Sequence, residues 1–134
     1  MSKVIVFTNG CYDVLHRGHI ELFKHCKSLG DFLVVGIDTD EKVKQDKGST
    51  RPYNKLEDRI FMLESIKYID KVCVFGSKQE LIKLVEVVKP DILVKGSDWK
   101  GKEIVGSQHA REVKYFERIG DYSTTKILEN SSDR

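Results

Sequence analysis

The 134-residue sequence has few of the features that mark several large classes of protein. Its three cysteines are an odd number without C-x-x-C spacing, which fits a reducing compartment better than a disulfide framework. Its longest apolar runs, Val4–Phe7 and Phe32–Val35, are far shorter than the roughly 20 apolar residues of a membrane-spanning helix. The first residues also lack the basic and apolar regions of a signal peptide. We therefore expect a cytoplasmic protein with no membrane partner.

The sequence also lacks a strong excess of either charge. Its 23 Lys and Arg residues oppose 21 Asp and Glu residues, for a formal net charge of +2. This charge is too small to attract a polyanion in bulk, so we expect no nucleic-acid partner. The length predicts a single domain over 1–134, with roughly 68% of the extended surface buried on folding and a frayed tail at 130–134.

What the sequence does contain is an alternation of short apolar runs with segments of helical periodicity. Continuous apolar runs are typical of parallel strands that are covered on both faces, so the pattern predicts an α/β fold with a doubly wound sheet of about five strands. The predicted strands are Val4–Phe7, Phe32–Ile37, Val72–Phe75, Ile92–Val94 and a segment containing Val113, Tyr115 and Phe116. Because ligands bind beyond the carboxyl ends of such strands, we expect functional residues directly after these runs.

Two segments between the predicted strands are informative. The sequence from Asp38 to Tyr53 is polar and contains Gly48 and Pro52, which indicates a long loop or a short helix of the kind often found at functional sites. Asn54 followed by Glu57 has the spacing of a capping box and predicts the start of the next helix.

A segment rich in glycine and histidine follows the first predicted strand. It reads Gly10-Cys11-Tyr12-Asp13 and then His16-x-Gly18-His19, where a helix is predicted to begin. A helix N-terminus has a positive dipole end, and imidazoles can donate hydrogen bonds to phosphate oxygens, so this chemistry predicts an anion site. The simpler alternative is an ordinary pair of imidazoles. A zinc site formed by Cys11, His16 and His19 is a further alternative, although a fourth ligand and the usual spacing are missing.

Two more motifs follow later predicted strands. They are Lys95-Gly96-Ser97-Asp98-Trp99, and Arg118 with Ser123-Thr124-Thr125 five residues further on. Together with the histidine motif they resemble the signature of the cytidylyltransferase-like superfamily of nucleotidyltransferases, over about Val4 to Leu128. The resemblance implies a Rossmann-like domain that transfers NMP from an NTP to a phosphate monoester and releases pyrophosphate. It also implies Mg²⁺ bound with the NTP, and a homodimer.

The resemblance further implies roles for individual residues. The implied catalytic residues are His16, His19, Lys47 and Arg118. The implied nucleotide-binding residues are Gly10, Cys11, Tyr12, Asp13, Gly18, Arg59, Lys95, Gly96, Ser123, Thr124 and Thr125. The implied acceptor-binding residues are Lys47, Lys67, Asp98 and Trp99. No side chain is assigned as a metal ligand.

Some of these residues have simpler explanations. Arg59 could be an i,i+4 partner on its own helix, and Trp99 could be a core residue. Lys42 and Lys44 are interleaved with acidic residues, so we expect them to face solvent and place only Lys47 of this cluster at the site.

Two branches of the superfamily compete for the substrate assignment. The segment from Lys47 to Arg59, with Val94-Lys95-Gly96, resembles the enzymes that make ADP-heptose from heptose 1-phosphate. Trp99, Arg118 and the segment 123–127 are closer to glycerol-3-phosphate cytidylyltransferases. The loop therefore favours the first branch, and the end of the chain favours the second.

The sequence also departs from the usual residue of each branch at one position. Lys67 stands where the glycerol-phosphate enzymes tend to have arginine, and Ser97 stands where the heptose enzymes usually have glycine. The leading hypothesis is ATP with heptose 1-phosphate, and the alternative is CTP with glycerol 3-phosphate or another polyol or amino-alcohol phosphate. A non-catalytic nucleotide-binding protein is an alternative of a different class, against which the intact motifs argue.

Overall fold

Five apolar segments pair into one parallel sheet in the computed structural model, which describes residues 3–117. The strands are β1 (Ile5–Gly10), β2 (Phe32–Asp38), β3 (Lys71–Phe75), β4 (Ile92–Gly96) and β5 (Glu112–Phe116). All pairings are parallel, and the strand order is β3-β2-β1-β4-β5. The predicted α/β, Rossmann-like fold is confirmed.

Helices connect most of the strands. They are α1 (Arg17–Ser28), α2 (Asp40–Lys47), α3 (Leu56–Glu64) and α4 (Lys78–Val88). The polar segment predicted to be a loop or a short helix contains α2. Short 3-10 turns at Ser97–Trp99 and Ser107–His109 lie between β4 and β5. None of the helices within the described residues is long and apolar enough to cross a membrane.

The central strands separate two apolar cores, one on each face of the sheet. Val6 and Phe7 are adjacent in β1 and fully buried, yet they belong to different cores because successive strand side chains point to opposite faces. The core around Val6 includes Phe23 of α1 and Leu63 of α3, and the core around Phe7 includes Val85 of α4. Burial on both faces explains why β1 and β2 are continuous apolar runs.

The start of α3 differs from the predicted capping box. The N-cap residue is Lys55, and its side chain makes no capping hydrogen bond. The side-chain amide of Asn54 donates instead to the backbone oxygen of Asp13, 2.6 Å away. The predicted box is therefore wrong, because a long-range contact between two loops takes the side chain that the local pattern assigned to the helix end.

The strand order positions the functional edge of the sheet. The chain runs outward from β1 through β2 to β3, then crosses back to β4 on the other side of β1. The connections that follow β1 and β4 therefore leave in opposite directions and open a crevice beyond the carboxyl ends of these two strands.

Candidate active site

Two histidine side chains cap the N-terminus of α1. Nδ1 of His16 accepts a hydrogen bond from the backbone N–H of Gly18 at 3.0 Å, and Nδ1 of His19 accepts one from the N–H of His16 at 3.2 Å. The two rings stack with their centroids 3.8 Å apart. The arrangement is a capping box in which imidazoles replace the usual Ser or Thr and Glu or Gln.

These hydrogen bonds determine which ring nitrogen carries the proton. A nitrogen that accepts a hydrogen bond holds no hydrogen, so in the neutral form both His16 and His19 carry their proton on Nε2. The positive end of the α1 dipole therefore carries two imidazole N–H donors. An anion is stabilised by both features at such a place.

The ring of Tyr12 packs against the second of these histidines. Its buried ring meets His19 edge-on with the ring centroids 5.5 Å apart, and it packs on Phe23 at 5.2 Å. Tyr12 has a φ of 50°, and a Cβ on Gly10 would lie 3.0 Å from its ring, so the ring would have to shift to accept a larger residue there. Because Tyr12 is buried, its side chain supports His19 instead of taking the nucleotide-binding role predicted for it.

Hydrogen bonds to Asp13 connect the loop after β1 to the loop before α3. Its side chain is fully buried, and its carboxylate accepts hydrogen bonds from Nε of Arg51 at 2.7 Å and from the backbone N–H groups of Tyr53 and Asn54 at 2.8 Å each. Burial by itself would raise the pKa of Asp13, but these donors lower it below its ordinary value. The buried carboxylate therefore holds the loop in place, and the nucleotide-binding role of Asp13 stays a prediction.

Arg59 also connects the loop after β1 to the loop before α3, and it is only 1% exposed. Its guanidinium donates to three backbone oxygens, those of Asn54 at 3.0 Å, Cys11 at 3.1 Å and Asp38 at 2.8 Å. It also donates to Oδ1 of Asp40 at 2.7 Å. All three guanidinium nitrogens are engaged and buried, so neither predicted role, a phosphate clamp or an i,i+4 partner on α3, describes Arg59.

A cleft of about 370 Å³ opens at the carboxyl ends of β1, β2 and β4. Five of the predicted site residues line it: Gly10, Cys11, Lys47, Lys95 and Trp99. The apolar part of its wall is formed by Phe75, Leu81, Ile104 and Val105. The cleft therefore fits a ligand that has both charged groups and a carbon framework.

The wall on the β4 side is formed by Lys95 and Trp99. Nζ of Lys95 lies 4.5 Å from the centre of the Trp99 ring, and Nζ of Lys102 lies 5.9 Å from it. Burial lowers the pKa of Lys95, whereas the carboxylates of Asp38 and Asp98 act in the opposite direction. Trp99 is 40% exposed and lines the cleft, so it is not the core residue of the simpler explanation.

Three further charged residues of the cleft were missed by sequence reasoning. Nζ of Lys42 lies 2.6 Å from Oδ2 of Asp46 and 3.5 Å from Oδ2 of Asp38. The side chain of Lys42 is only 20% exposed, so the prediction that it faces solvent is wrong, while Lys44 is exposed as expected. The i,i+4 spacing of Lys42 and Asp46 puts these two on one side of α2, and Asp38 ends the strand that leads into that helix.

The structure does not bring every predicted residue to this edge. Lys67 lies in the connection that leads into the amino end of β3, whereas the cleft is at the carboxyl ends of the strands. This placement disagrees with the acceptor-binding role predicted for Lys67. The predictions for Arg118, Ser123, Thr124, Thr125 and the tail at 130–134 lie outside the described residues.

The described residues do not form a metal site of their own. Between residues 3 and 117, no group of three or more His, Cys, Asp or Glu side chains could hold a metal ion. Asp38 and Asp46 face the cleft but share Lys42 as a cation.

Comparison with known proteins agrees with this geometry. The sequence profile of cytidylyltransferase-like proteins matches residues 7–130. The chain belongs to the cytidylyltransferase-like family. The chain is 48% identical to the bifunctional protein HldE of a Nitratiruptor species and to that of Helicobacter pylori (strain J99 / ATCC 700824), over 128 residues and 96% of its length in each case. It spans only 28% and 27% of those relatives.

Solved structures extend the comparison. The lipopolysaccharide core biosynthesis protein from Thermoplasma volcanium matches with a TM-score of 0.71 and 30% identity, over 91% of this chain and 100% of that one. Pantothenate synthetase from Thermus thermophilus matches with a TM-score of 0.66 at 14% identity, over 98% of this chain and 64% of that one, and shows the shared fold alone.

The buried carboxylate of Asp13 predicts how the stability of this cytidylyltransferase-like domain depends on pH. Because its pKa is lowered in the folded state, the unfolded state takes up the proton first. Its contribution to stability is therefore complete above about pH 4, the ordinary pKa of Asp, and is lost as the pH falls further. In urea unfolding from pH 7 to pH 2.5, Asp13→Asn should lose about 1–3 kcal/mol at pH 7 and show a shallower decline below pH 4.

The matched control is Asp58→Asn, which removes an exposed carboxylate from the first turn of α3. We expect this variant to keep the acid dependence of the wild type. An Asp13→Asn protein with the wild-type decline below pH 4 would contradict the anchoring role of Asp13.

Proposed function

We propose that this domain is a nucleotidyltransferase, which transfers NMP from an NTP to the phosphate of a sugar or polyol and releases pyrophosphate. The observation that carries the proposal is the double-histidine cap of α1, because its hydrogen bonds to Nδ1 leave the N–H of each neutral imidazole on Nε2 at a helix N-terminus. The cleft at the carboxyl ends of the strands supports it with the cations Lys47 and Lys95 beside an apolar wall. Together these features suit a phosphorylated substrate that also has a carbon framework.

The proposed chemistry is an in-line displacement at the α-phosphorus. An oxygen of the acceptor's phosphate forms a bond to phosphorus as the bond to pyrophosphate breaks. No strong general base is required, because a phosphate monoester is already an anionic nucleophile. The Nε2–H groups of His16 and His19 donate to oxygens on which negative charge increases in the transition state.

Cationic side chains complete the proposed site. Lys47, at the end of α2, neutralises phosphate charge as a mobile point charge. Arg118 is proposed for the same task on the triphosphate, and the segment 123–125 for binding it. The end of β4 and the 3-10 turn after it are proposed to shape the nucleotide and acceptor pockets, through Lys95, Gly96, Asp98 and Trp99. Gly18 is the second residue of α1, where a side chain would lie beside the proposed phosphates.

Heptose 1-phosphate with ATP is the substrate pair that we propose first. The loop from Lys47 to Arg59 resembles the ADP-heptose-forming branch, and the name of the T. volcanium structure refers to lipopolysaccharide core biosynthesis. CTP with glycerol 3-phosphate or a similar polyol phosphate is the second candidate, favoured by Trp99, which the structure places in the cleft. A cytoplasmic location and a homodimer are proposed on the family resemblance.

Pyrophosphate release across a substrate panel tests the proposed reaction. The panel combines ATP, CTP, GTP and UTP with heptose 1-phosphate, other sugar 1-phosphates and glycerol 3-phosphate, with and without Mg²⁺. We expect release only where an NTP, a phosphorylated acceptor and Mg²⁺ are all present, and fastest with ATP and heptose 1-phosphate. NTP binding without release from any acceptor would instead support a non-catalytic nucleotide-binding protein.

Substitution of the cap histidines tests their proposed role. In His16→Asn the amide oxygen can replace Nδ1 as the N-cap acceptor, but no donor remains at the Nε2 position. We expect kcat to fall about 10²- to 10³-fold, as on loss of an oxyanion donor, with little change in the free energy of unfolding. His19→Ala should lower kcat to the same extent.

The control for both is His25→Ala, which removes an imidazole from the same helix at a position packed against Phe116. Its kcat should stay at the wild-type value. Near wild-type turnover in His16→Asn and His19→Ala would rule out the proposed mechanism.

A further inference from the structure

Asp38 is a carboxylate in a cleft whose function is to bind phosphates. It is the last residue of β2, only 8% exposed, and it lines the same cleft as Lys47 and Lys95. A negative charge here repels the phosphates of both proposed substrates. The proposed phosphate-transfer chemistry makes no use of such a group, and one ion pair with Lys42 uses only part of its capacity to accept hydrogen bonds.

The surroundings of Asp38 fix its position. Its backbone oxygen accepts a hydrogen bond from Nη1 of Arg59 at 2.8 Å, and its carboxylate lies 3.5 Å from Nζ of Lys42. Lys42 is held in turn by Asp46 at 2.6 Å. A carboxylate has about four lone-pair sites, so one ion pair with Lys42 leaves it able to accept further hydrogen bonds from a ligand.

An apolar surface lies directly beside this carboxylate. Phe75 is the register partner of Asp38 across β2 and β3, and it lines the cleft together with Leu81. Hydroxyl groups are neutral donors that a carboxylate binds without charge repulsion, and the C–H groups of the same molecule can pack on Phe75. A fixed carboxylate next to an apolar face therefore matches a polyhydroxylated carbon chain or ring.

We propose that Asp38 determines acceptor specificity by accepting hydrogen bonds from hydroxyl groups of the sugar or polyol phosphate. This inference rests on the proposed function and deepens it, because it assigns the hydroxyl-bearing part of the acceptor to the β2–β3 side of the cleft. The phosphate of the acceptor then lies toward Lys47 and Lys95.

The experiment compares Asp38→Asn with wild type in pyrophosphate release and in acceptor binding by calorimetry. The acceptors are the sugar or polyol phosphate that turns over fastest, its deoxy analogues, and methyl phosphate, which has no hydroxyl group. We expect KM and Kd for the hydroxylated acceptor to rise about 10-fold or more, the loss typical of a charge-assisted hydrogen bond. The values for NTP and methyl phosphate should change less than about twofold, and one deoxy analogue should lose its sensitivity to the substitution.

Two further variants distinguish a direct contact between Asp38 and the acceptor from an indirect role of Asp38 in positioning Lys42. Asp46→Asn removes the other partner of Lys42, so it should reproduce the defect if Asp38 serves only to hold Lys42 in place. Glu41→Gln removes an exposed carboxylate from α2 outside the cleft and should behave as wild type. An Asp46→Asn defect equal to that of Asp38→Asn, or equal losses for all acceptors and NTP, would overturn the proposal.

Failure of the proposed function has a different outcome. If no acceptor supports pyrophosphate release in the wild type, the proposed reaction is wrong. The role of Asp38 in binding hydroxyl groups is then tested by measuring the affinity for ligands alone. Glucose 1-phosphate should then still bind more tightly than methyl phosphate, and Asp38→Asn should abolish the difference. Equal affinity of the wild type for these two ligands would overturn the role of Asp38.

Discussion

The hydrogen bonds from the α1 backbone to Nδ1 of His16 and His19 govern the chemistry of this domain. A helix N-terminus needs acceptors, and a phosphate site needs donors, which are opposite demands on the same few residues. An imidazole meets both, because a neutral ring accepts at one nitrogen and donates at the other. The cap therefore determines the tautomer of each ring, and the tautomer puts an N–H donor on Nε2 of both, which is what the proposed reaction needs.

The loops that carry the cap are held by buried polar contacts and not by apolar packing alone. Asp13 collects three donors from the segment before α3, and Arg59 reaches from α3 to the ends of β1 and β2. A buried charge that loses its partners is costly, so these contacts resist rearrangement. The two residues thus make the positions of the cap and of the cleft depend on one another, although neither side chain is accessible to a ligand.

Sequence patterns predicted the sheet and its functional edge because those features follow from local rules. Burial on both faces demands continuous apolar strands, and the carboxyl-edge rule correctly placed Lys95 and Trp99 in the cleft. The errors concern long-range contacts. The sequence predicts phosphate binding for Arg59, whereas its guanidinium binds the backbone oxygens of Cys11 and Asp38, which no local spacing reveals. Alternating charge predicts that Lys42 faces solvent, whereas its i,i+4 relation to Asp38 indicates the ion pair that the structure shows.

The most direct test of the central claim is a long-range ¹H–¹⁵N NMR spectrum of the histidine side chains, at a pH where the rings are neutral. The double cap predicts that His16 and His19 both carry their proton on Nε2, with Nδ1 unprotonated. The assignment can be made with His16→Asn and His19→Ala proteins, each of which removes one set of signals. Protonation of Nδ1 in either neutral ring would contradict the cap and the donor geometry that depends on it.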